Sequence, residues 1–285
     1  MYLAHFGLRE FPFAITPDTD FVYRAHDHRA AMNMVLLALE NGEGFIKVTG
    51  EVGTGKTLMC RRLLQSLPAD VVSAYLLNPR LTPRGLLRAI GEELGLPRSV
   101  GVGADERGLY GLLESELMSL VAEGRRVVLC IDEAQALPLE SLEALRLLSN
   151  LETGKRKLIQ TVLFGQPELD ARLALHPLRS LASRIAFSAR LDGLHLEDFA
   201  SYLRHRLSVA GWRGPDVFSF GARLMLWRAS RGVPRVANIL AHKTLLLAFG
   251  KGRHHVGLRL AWAAVRDGAG TPRRIAPRHW QGANS

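Results

Sequence analysis

Apolar residues recur along this chain with two alternating rhythms. Between residues 28 and 191, short continuous apolar runs alternate with longer segments in which apolar positions return every three or four residues. The runs at 44–49, 71–77, 126–131, 158–164 and 185–191 predict buried strands. The segments at 28–40, 56–66, 82–95, 105–123 and 138–150 predict amphipathic helices, with shorter helices over 167–182. Asn41-Gly42 supplies the stop signal for the first of them. This alternation predicts an α/β fold: a parallel sheet with helices on both faces. From about Leu194 the strand-like runs cease, and helices near 195–210, 216–230, 234–250 and 256–267 predict an all-helical second domain. The expected organisation is a turn-rich N-terminal segment over 1–27, an α/β core over 28–193, a helical lid over 194–267 and a basic, disordered tail over 268–285. No internal repeat is visible.

The turn after the first predicted strand carries the chemistry. Gly50-Glu51-Val52-Gly53-Thr54-Gly55-Lys56-Thr57 is a complete G-x-x-x-x-G-K-T run between a strand and a helix that opens at Leu58. Glycines let backbone N–H groups wrap phosphates, and the helix N-terminus adds partial positive charge. The whole stretch Gly50 to Leu58 is therefore the candidate nucleotide-binding loop. Lys56 is expected to reach the β- and γ-phosphates, and the Thr57 hydroxyl to ligate Mg²⁺. A second signal lies at the end of the strand 126–131, which runs into Asp132-Glu133. Two adjacent carboxylates at a strand end repel one another unless a cation sits there. Asp132 is expected to hold the Mg²⁺ ion with Thr57, and Glu133 to act as the base that polarises the attacking water. No motif that reads the base distinguishes ATP from GTP.

Composition alters this picture in two ways. Lys and Arg number 37 against 27 Asp and Glu, a formal net charge of +10. That surplus suits nucleic acid, acidic lipid or an acidic protein, and it equally suits an arginine-rich proteome. It is concentrated toward the end, where Lys251, Arg253, Arg259, Arg266, Arg273, Arg274 and Arg278 face only Asp267. Non-specific binding to nucleic acid through the tail is expected. The two cysteines, Cys60 and Cys130, fall in predicted core positions and read as reduced thiols of a cytoplasmic protein. No N-terminal secretory pattern is seen, and no apolar run approaches the roughly 20 residues of a membrane span. Peripheral docking on an inner-membrane complex remains open.

These residues resemble the AAA+ ATPases, and more narrowly the ExeA-type general secretion and MshM-type pilus-biogenesis group. The likeness covers residues 1 to about 267. It rests on Met1-Tyr2-Leu3, Phe6-Gly7-Leu8, Pro12-Phe13 and Thr16-Pro17-Asp18, on the loop from Thr49 to Thr57, and on Ile131-Asp132-Glu133-Ala134-Gln135. Phe164-Gly165-Gln166-Pro167-Glu168-Leu169 and Gly232-Val233-Pro234-Arg235 match as well. The resemblance implies a first-sensor role for Gln166 and a second-sensor role for Arg235. It implies that Arg184, with Arg179 as the competitor, reaches a neighbouring subunit's nucleotide, so a homo-oligomer is expected. It further implies inner-membrane pilus or secretion proteins as partners. ExeA-type proteins continue into a membrane span and a peptidoglycan-binding domain. This chain stops at Ser285, which favours the shorter pilus type as the expectation. A DNA-associated ATPase of the transposition or replication type is the alternative.

Overall fold

The computed structural model of the protein describes residues 2–14, 21, 23, 26–77, 79–97, 103–153 and 156–267. The Thr16-Pro17-Asp18 signature and the tail over 268–285 lie outside the described residues. The chain opens with a short helix, α1 (Tyr2–Phe6), followed by α2 (His26–Glu40), β1 (Phe45–Gly50), α3 (Lys56–Ser66) and β2 (Val71–Leu76). Next come α4 (Pro83–Glu93), α5 (Glu106–Ala122), β3 (Arg126–Ile131) and α6 (Leu139–Leu148). A small hairpin of β4 (Glu152–Thr153) and β5 (Arg156–Lys157) leads to β6 (Gln160–Gly165), α7 (Glu168–Leu173), α8 (Arg179–Ala182) and β7 (Ile185–Leu191). Four helices complete the described chain: α9 (Leu196–Val209), α10 (Phe220–Ser230), α11 (Pro234–Gly250) and α12 (Leu258–Arg266). The described residues form two compact units, one of 21–194 and one of 2–14 together with 195–267.

In the first unit, β2, β3, β6, β1 and β7 lie side by side in that order. Every pairing among them is parallel. Successive side chains of a strand point to opposite faces. On β3, Val127, Leu129 and Ile131 join the core made with α4, α5 and α6. Val128 and Cys130 join the core made with α2 and α3 on the other face. Both faces are therefore sealed, which is why the strands read as continuous apolar runs rather than alternating ones. Cys60 and Cys130 are free and buried in the second of these cores. A hydrogen bond to the Cys130 thiol, together with burial, pushes the Cys60 thiol above its ordinary range and keeps it protonated.

This is the α/β architecture with following helices that the periodicity predicts. The register fixes what matters for chemistry: Thr49 pairs with Gly165, Ile131 with Leu163, and Gly50 with Leu191. The carboxyl ends of β1, β3 and β6 consequently finish side by side, where open α/β sheets place their ligands.

The N-terminal segment departs from expectation. It does not form one turn-rich piece over 1–27, because the described residues 2–14 belong with the helical unit. Tyr2 and Phe6 are buried there, and the Tyr2 hydroxyl bonds His242 Nδ1 at 2.9 Å. The buried Arg206 guanidinium donates to the carbonyls of Pro12 (2.6 Å) and Ala14 (3.0 Å), and Asn238 Nδ2 also donates to Ala14 (3.3 Å). Aromatic burial and these polar anchors bind a segment that has too few residues for a core of its own. Among the described residues, no helix is long and apolar enough to cross a membrane.

Candidate nucleotide site

Helix α3 begins straight out of the glycine-rich turn. Gly55 stands at φ 101°, a conformation that costs an L side chain about 1–2 kcal/mol, and so it carries none. No side chain caps α3, whereas Thr82, Asp105 and Ser219 cap α4, α5 and α10. The first amide groups of α3 are thus left for another acceptor, as at an anion-binding helix terminus. The loop is tied down by its own Thr54, whose hydroxyl donates to the Glu51 carbonyl at 2.9 Å. It is also held from outside by His28 on α2, whose Nε2 bonds the Thr54 carbonyl at 2.7 Å. His28 gave no signal in the sequence, since nothing about its spacing points to a loop 26 residues on.

Lys56 is almost fully buried, and its ammonium donates to the carbonyls of Gly50 (2.7 Å) and Glu51 (2.9 Å). Burial lowers its pKa, opposed by the nearby carboxylates of Glu133, Asp132, Glu51 and Glu168. Two carbonyl dipoles are modest partners for a buried cation, so an anion placed here gains the full charge of Lys56.

Asp132 follows β3 and is fully buried. Its Oδ1 accepts from the Glu133 backbone N–H at 2.9 Å, while Oδ2 is buried without a hydrogen bond. Burial raises its pKa; the Thr57 hydroxyl beside it and the Glu133 N–H act against that shift, and the Glu133 charge adds to it. This donor set fits Mg²⁺, which takes one or two protein oxygens and fills its shell with phosphate oxygens and water. An unsatisfied carboxylate oxygen next to a hydroxyl is what such an ion would bind.

Glu133 adopts φ 52°, one of two described non-glycine residues with positive φ. Its side chain reaches the residue that follows β6. There its Oε2 accepts from Gln135 Nε2 at 2.5 Å and from Gln166 Nε2 at 3.1 Å. The Gln166 N–H in turn donates to Gln135 Oε1 at 2.9 Å, and the Arg172 guanidinium donates to the Gln135 carbonyl. Sequence reasoning assigned no role to Gln135 or Arg172; the identities were visible, but the register that joins them was not.

Of the residues singled out from the sequence, Lys56, Thr57, Asp132, Glu133 and Gln166 thus meet at one sheet edge. Arg184 does not. It precedes β7, whose first residue pairs with Phe45 at the start of β1, and Nη1 bonds the Ser149 hydroxyl at 2.8 Å. Five strand residues separate that end from Gly50, about 16 Å at roughly 3.3 Å per residue. Arg179 is exposed at the start of α8. Arg235 is exposed in the first turn of α11, within the helical unit.

The raised pKa of Asp132 has a consequence for stability. The folded state holds this proton more tightly than the unfolded chain does. The group's contribution is therefore fully present below the unfolded pKa and is lost as pH rises through the folded one. At neutral pH, the buried carboxylate is a net cost in the ligand-free protein. Asp132→Asn is expected to raise the ligand-free melting temperature by a few degrees at pH 7.5 and to abolish the stabilisation that Mg²⁺ adds to a bound nucleotide. Differential scanning calorimetry with nucleotide, with and without Mg²⁺, checks both outcomes.

Comparison with known proteins bears on the family and the fold. Residues 39–173, which include the loop, both acids and Gln166, match the AAA domain family. Over 256 residues, 90% of the chain, the sequence is 44% identical to the general secretion pathway protein A of Aeromonas hydrophila. The match covers 46% of that protein, so this chain spans about half the length of its relative. Among solved structures, Cdc6p from Pyrobaculum aerophilum aligns with a TM-score of 0.66 at 18% identity, over 86% of this chain and 67% of that one. The ADP form of the Aeropyrum pernix ORC2 protein aligns with a TM-score of 0.62 at 19% identity, over 90% and 72%. Likeness at such identity speaks for the fold alone. The chain is an AAA+ ATPase, and within that class it resembles the ExeA-type group represented by general secretion pathway protein A.

Proposed function

We propose that this ATPase hydrolyses ATP with Mg²⁺ at the shared carboxyl edge of β1, β3 and β6, and serves assembly of a type II secretion or MSHA-like type IV pilus apparatus. The convergence of Lys56, Thr57, Asp132, Glu133 and Gln166 on that edge is the observation that supports the chemistry. Lys56 exchanges the Gly50 and Glu51 carbonyls for phosphate oxygens, gaining charge–charge contacts. Thr57 and Asp132 hold the metal, which when bound offsets charge on the phosphates. Glu133 orients the attacking water and takes its proton, and the Gln166 amide faces the same space as the sensor. Arg235 keeps the second-sensor role that the resemblance gives it.

Two substitutions separate binding from turnover. Lys56→Ala is expected to abolish nucleotide binding, because the phosphates lose their main point charge. Glu133→Gln is expected to keep binding within a few-fold and to slow hydrolysis 100-fold or more. Titration with a fluorescent ATP analogue and a phosphate-release assay read the two effects; wild-type turnover by Glu133→Gln contradicts the base assignment.

The position of Arg184 supports a site shared between copies of the chain. At the opposite end of the strands from Gly50, a side chain roughly 7 Å long cannot span the approximately 16 Å to its own loop. In this reading, Arg184 stabilises the transition state in a neighbouring copy. Arg184→Ala should bind ATP normally and hydrolyse poorly, and mixing it with Lys56→Ala should restore part of the activity. Turnover per chain should rise with protein concentration; concentration-independent turnover by a strict monomer contradicts the shared site.

The sequence likeness to general secretion pathway protein A, extending over nine-tenths of the chain, supports the secretion setting. The structural neighbours are an ORC2 protein and Cdc6p, and at 18–19% identity they give no ground for moving any role of theirs to this chain. Phosphate contacts by a protein of charge +10 are expected at low salt whatever its role, and they weaken steeply as salt rises. At ~150 mM salt, duplex DNA is expected to leave hydrolysis unchanged, and the full chain to co-sediment with inner-membrane secretion or pilus components. Several-fold stimulation by DNA at that salt reverses the assignment.

A further inference from the structure

Gln135 touches the base, the sensor strand and the turn between them, and the mechanism above leaves it idle. We propose that Gln135 is the positioning residue of the hydrolytic edge: its amide fixes the Glu133 carboxylate and couples it to the β6–α7 junction. The inference rests on Glu133 being the base.

Four contacts carry it. The Gln135 Nε2 donates to Glu133 Oε2 at 2.5 Å, and its Oε1 accepts the Gln166 backbone N–H at 2.9 Å. Its own carbonyl accepts from the Arg172 guanidinium, which anchors the residue to α7. Gln166 Nε2 completes the ring by donating to the same Glu133 Oε2 at 3.1 Å. Both amides grip one carboxylate oxygen. The other, Oε1, is bound by neither of them, and in this reading it is the oxygen left to take the water.

The surroundings are shaped for this side chain. A Cβ at Gly165 would lie 3.3 Å from Gln135 Oε1 and 2.7 Å from Leu169 Cδ2. A side chain at the end of β6 would crowd this amide and the Leu169 side chain of α7, so the glycine there leaves both in place. The backbone of Gln135 is held in a 3-10 turn, Ala134–Ala136, in which the Ala136 N–H bonds the Glu133 carbonyl at 2.8 Å. Ala134 and Leu137 on either side are fully buried. The side chain thus rises from a rigid base toward a flexible one, since a glutamate has three side-chain torsions to be fixed before it can orient a water.

Glutamine is also the side chain that the contacts demand. It offers a donor to a carboxylate and an acceptor to a backbone N–H at once. Glutamate of the same shape has no donor when ionised and sets a second negative charge against Glu133. Methionine of similar volume offers neither group.

The test is a double-mutant cycle on the full chain. Gln135→Met and Gln135→Glu should each lower single-turnover hydrolysis about 10- to 100-fold, the effect of losing hydrogen bonds to a charged group. The dissociation constant of a fluorescent ATP analogue should stay within about twofold, because the phosphates are held elsewhere. In the Glu133→Gln background, Gln135→Met should bring no further loss, since the carboxylate it positions is gone. A residue that merely supports the fold would lower the rate by the same factor in both backgrounds and weaken nucleotide binding as well, and that result overturns the proposal. Should Gln135→Met fail to fold, Gln135→Leu, which also lacks the amide and adds no charge, carries the same comparison. Wild-type turnover by Gln135→Met beside a stalled Glu133→Gln refutes this inference alone, whereas wild-type turnover by Glu133→Gln refutes the base assignment and this inference with it.

Discussion

A carboxylate buried at the end of a strand sealed on both faces sets the terms for the rest of this protein. Asp132 is fully buried, with one oxygen satisfied by the Glu133 N–H and the other by nothing of hydrogen-bonding geometry. Burial of an ionised group costs several kcal/mol unless it is paired. Here the compensation is divided among the Thr57 hydroxyl, the Glu133 N–H and the Lys56 charge, and it does not cancel the cost. The same is true of Lys56, which spends its charge on two backbone carbonyls. The apolar core thus supports a cation and an anion whose best partners are an anion and a cation of a ligand. Such a site is least stable when alone, and binding energy is drawn from that deficit.

What holds the charges in place is the sheet. Parallel pairing aligns Gly50, Ile131 and Gly165 as neighbouring strand ends, and each is followed at once by a functional turn. Two of those turns depart from ordinary geometry, the glycine turn at Gly55 and the left-handed Glu133. The carboxylate of Glu133 meets the Gln135 and Gln166 amides, while its backbone N–H binds Asp132. Adjacent acids in the sequence therefore have different partners, Asp132 the Glu133 N–H and Glu133 the amides of Gln135 and Gln166. The helical unit is built on separate principles, with the N-terminal aromatics Tyr2 and Phe6 buried and the Arg206 guanidinium holding the backbone of the opening segment.

Much of this was legible in the sequence because the chemistry requires particular residues at short spacing. The phosphate loop lies within eight residues, and Asp132-Glu133 ends an unbroken apolar run. Strands sealed on both faces and long amphipathic helices announce themselves by period. Helix α1 did not, because five residues hold barely more than one turn, and the hairpin over 152–157 has no apolar period to see. Gln135 escaped for another reason. It was readable as part of Asp132-Glu133-Ala134-Gln135, but its partner Gln166 is 31 residues away and meets it only through strand register. The choice between Arg184 and Arg179 likewise could not come from spacing. The structure gives one a bond to Ser149 and leaves the other exposed, and neither observation follows from the order of residues.

The central claim is that the charges buried at the ends of β1 and β3 are the incomplete half of a nucleotide–metal site. A crystal structure of the Glu133→Gln chain with ATP and Mg²⁺ tests it most directly. The account predicts that Lys56 Nζ leaves the Gly50 and Glu51 carbonyls for phosphate oxygens, with Mg²⁺ on the Thr57 hydroxyl and bound to Asp132 directly or through its water. Nucleotide bound elsewhere, or bound here with Lys56 still on its two carbonyls and no metal near Asp132, contradicts it.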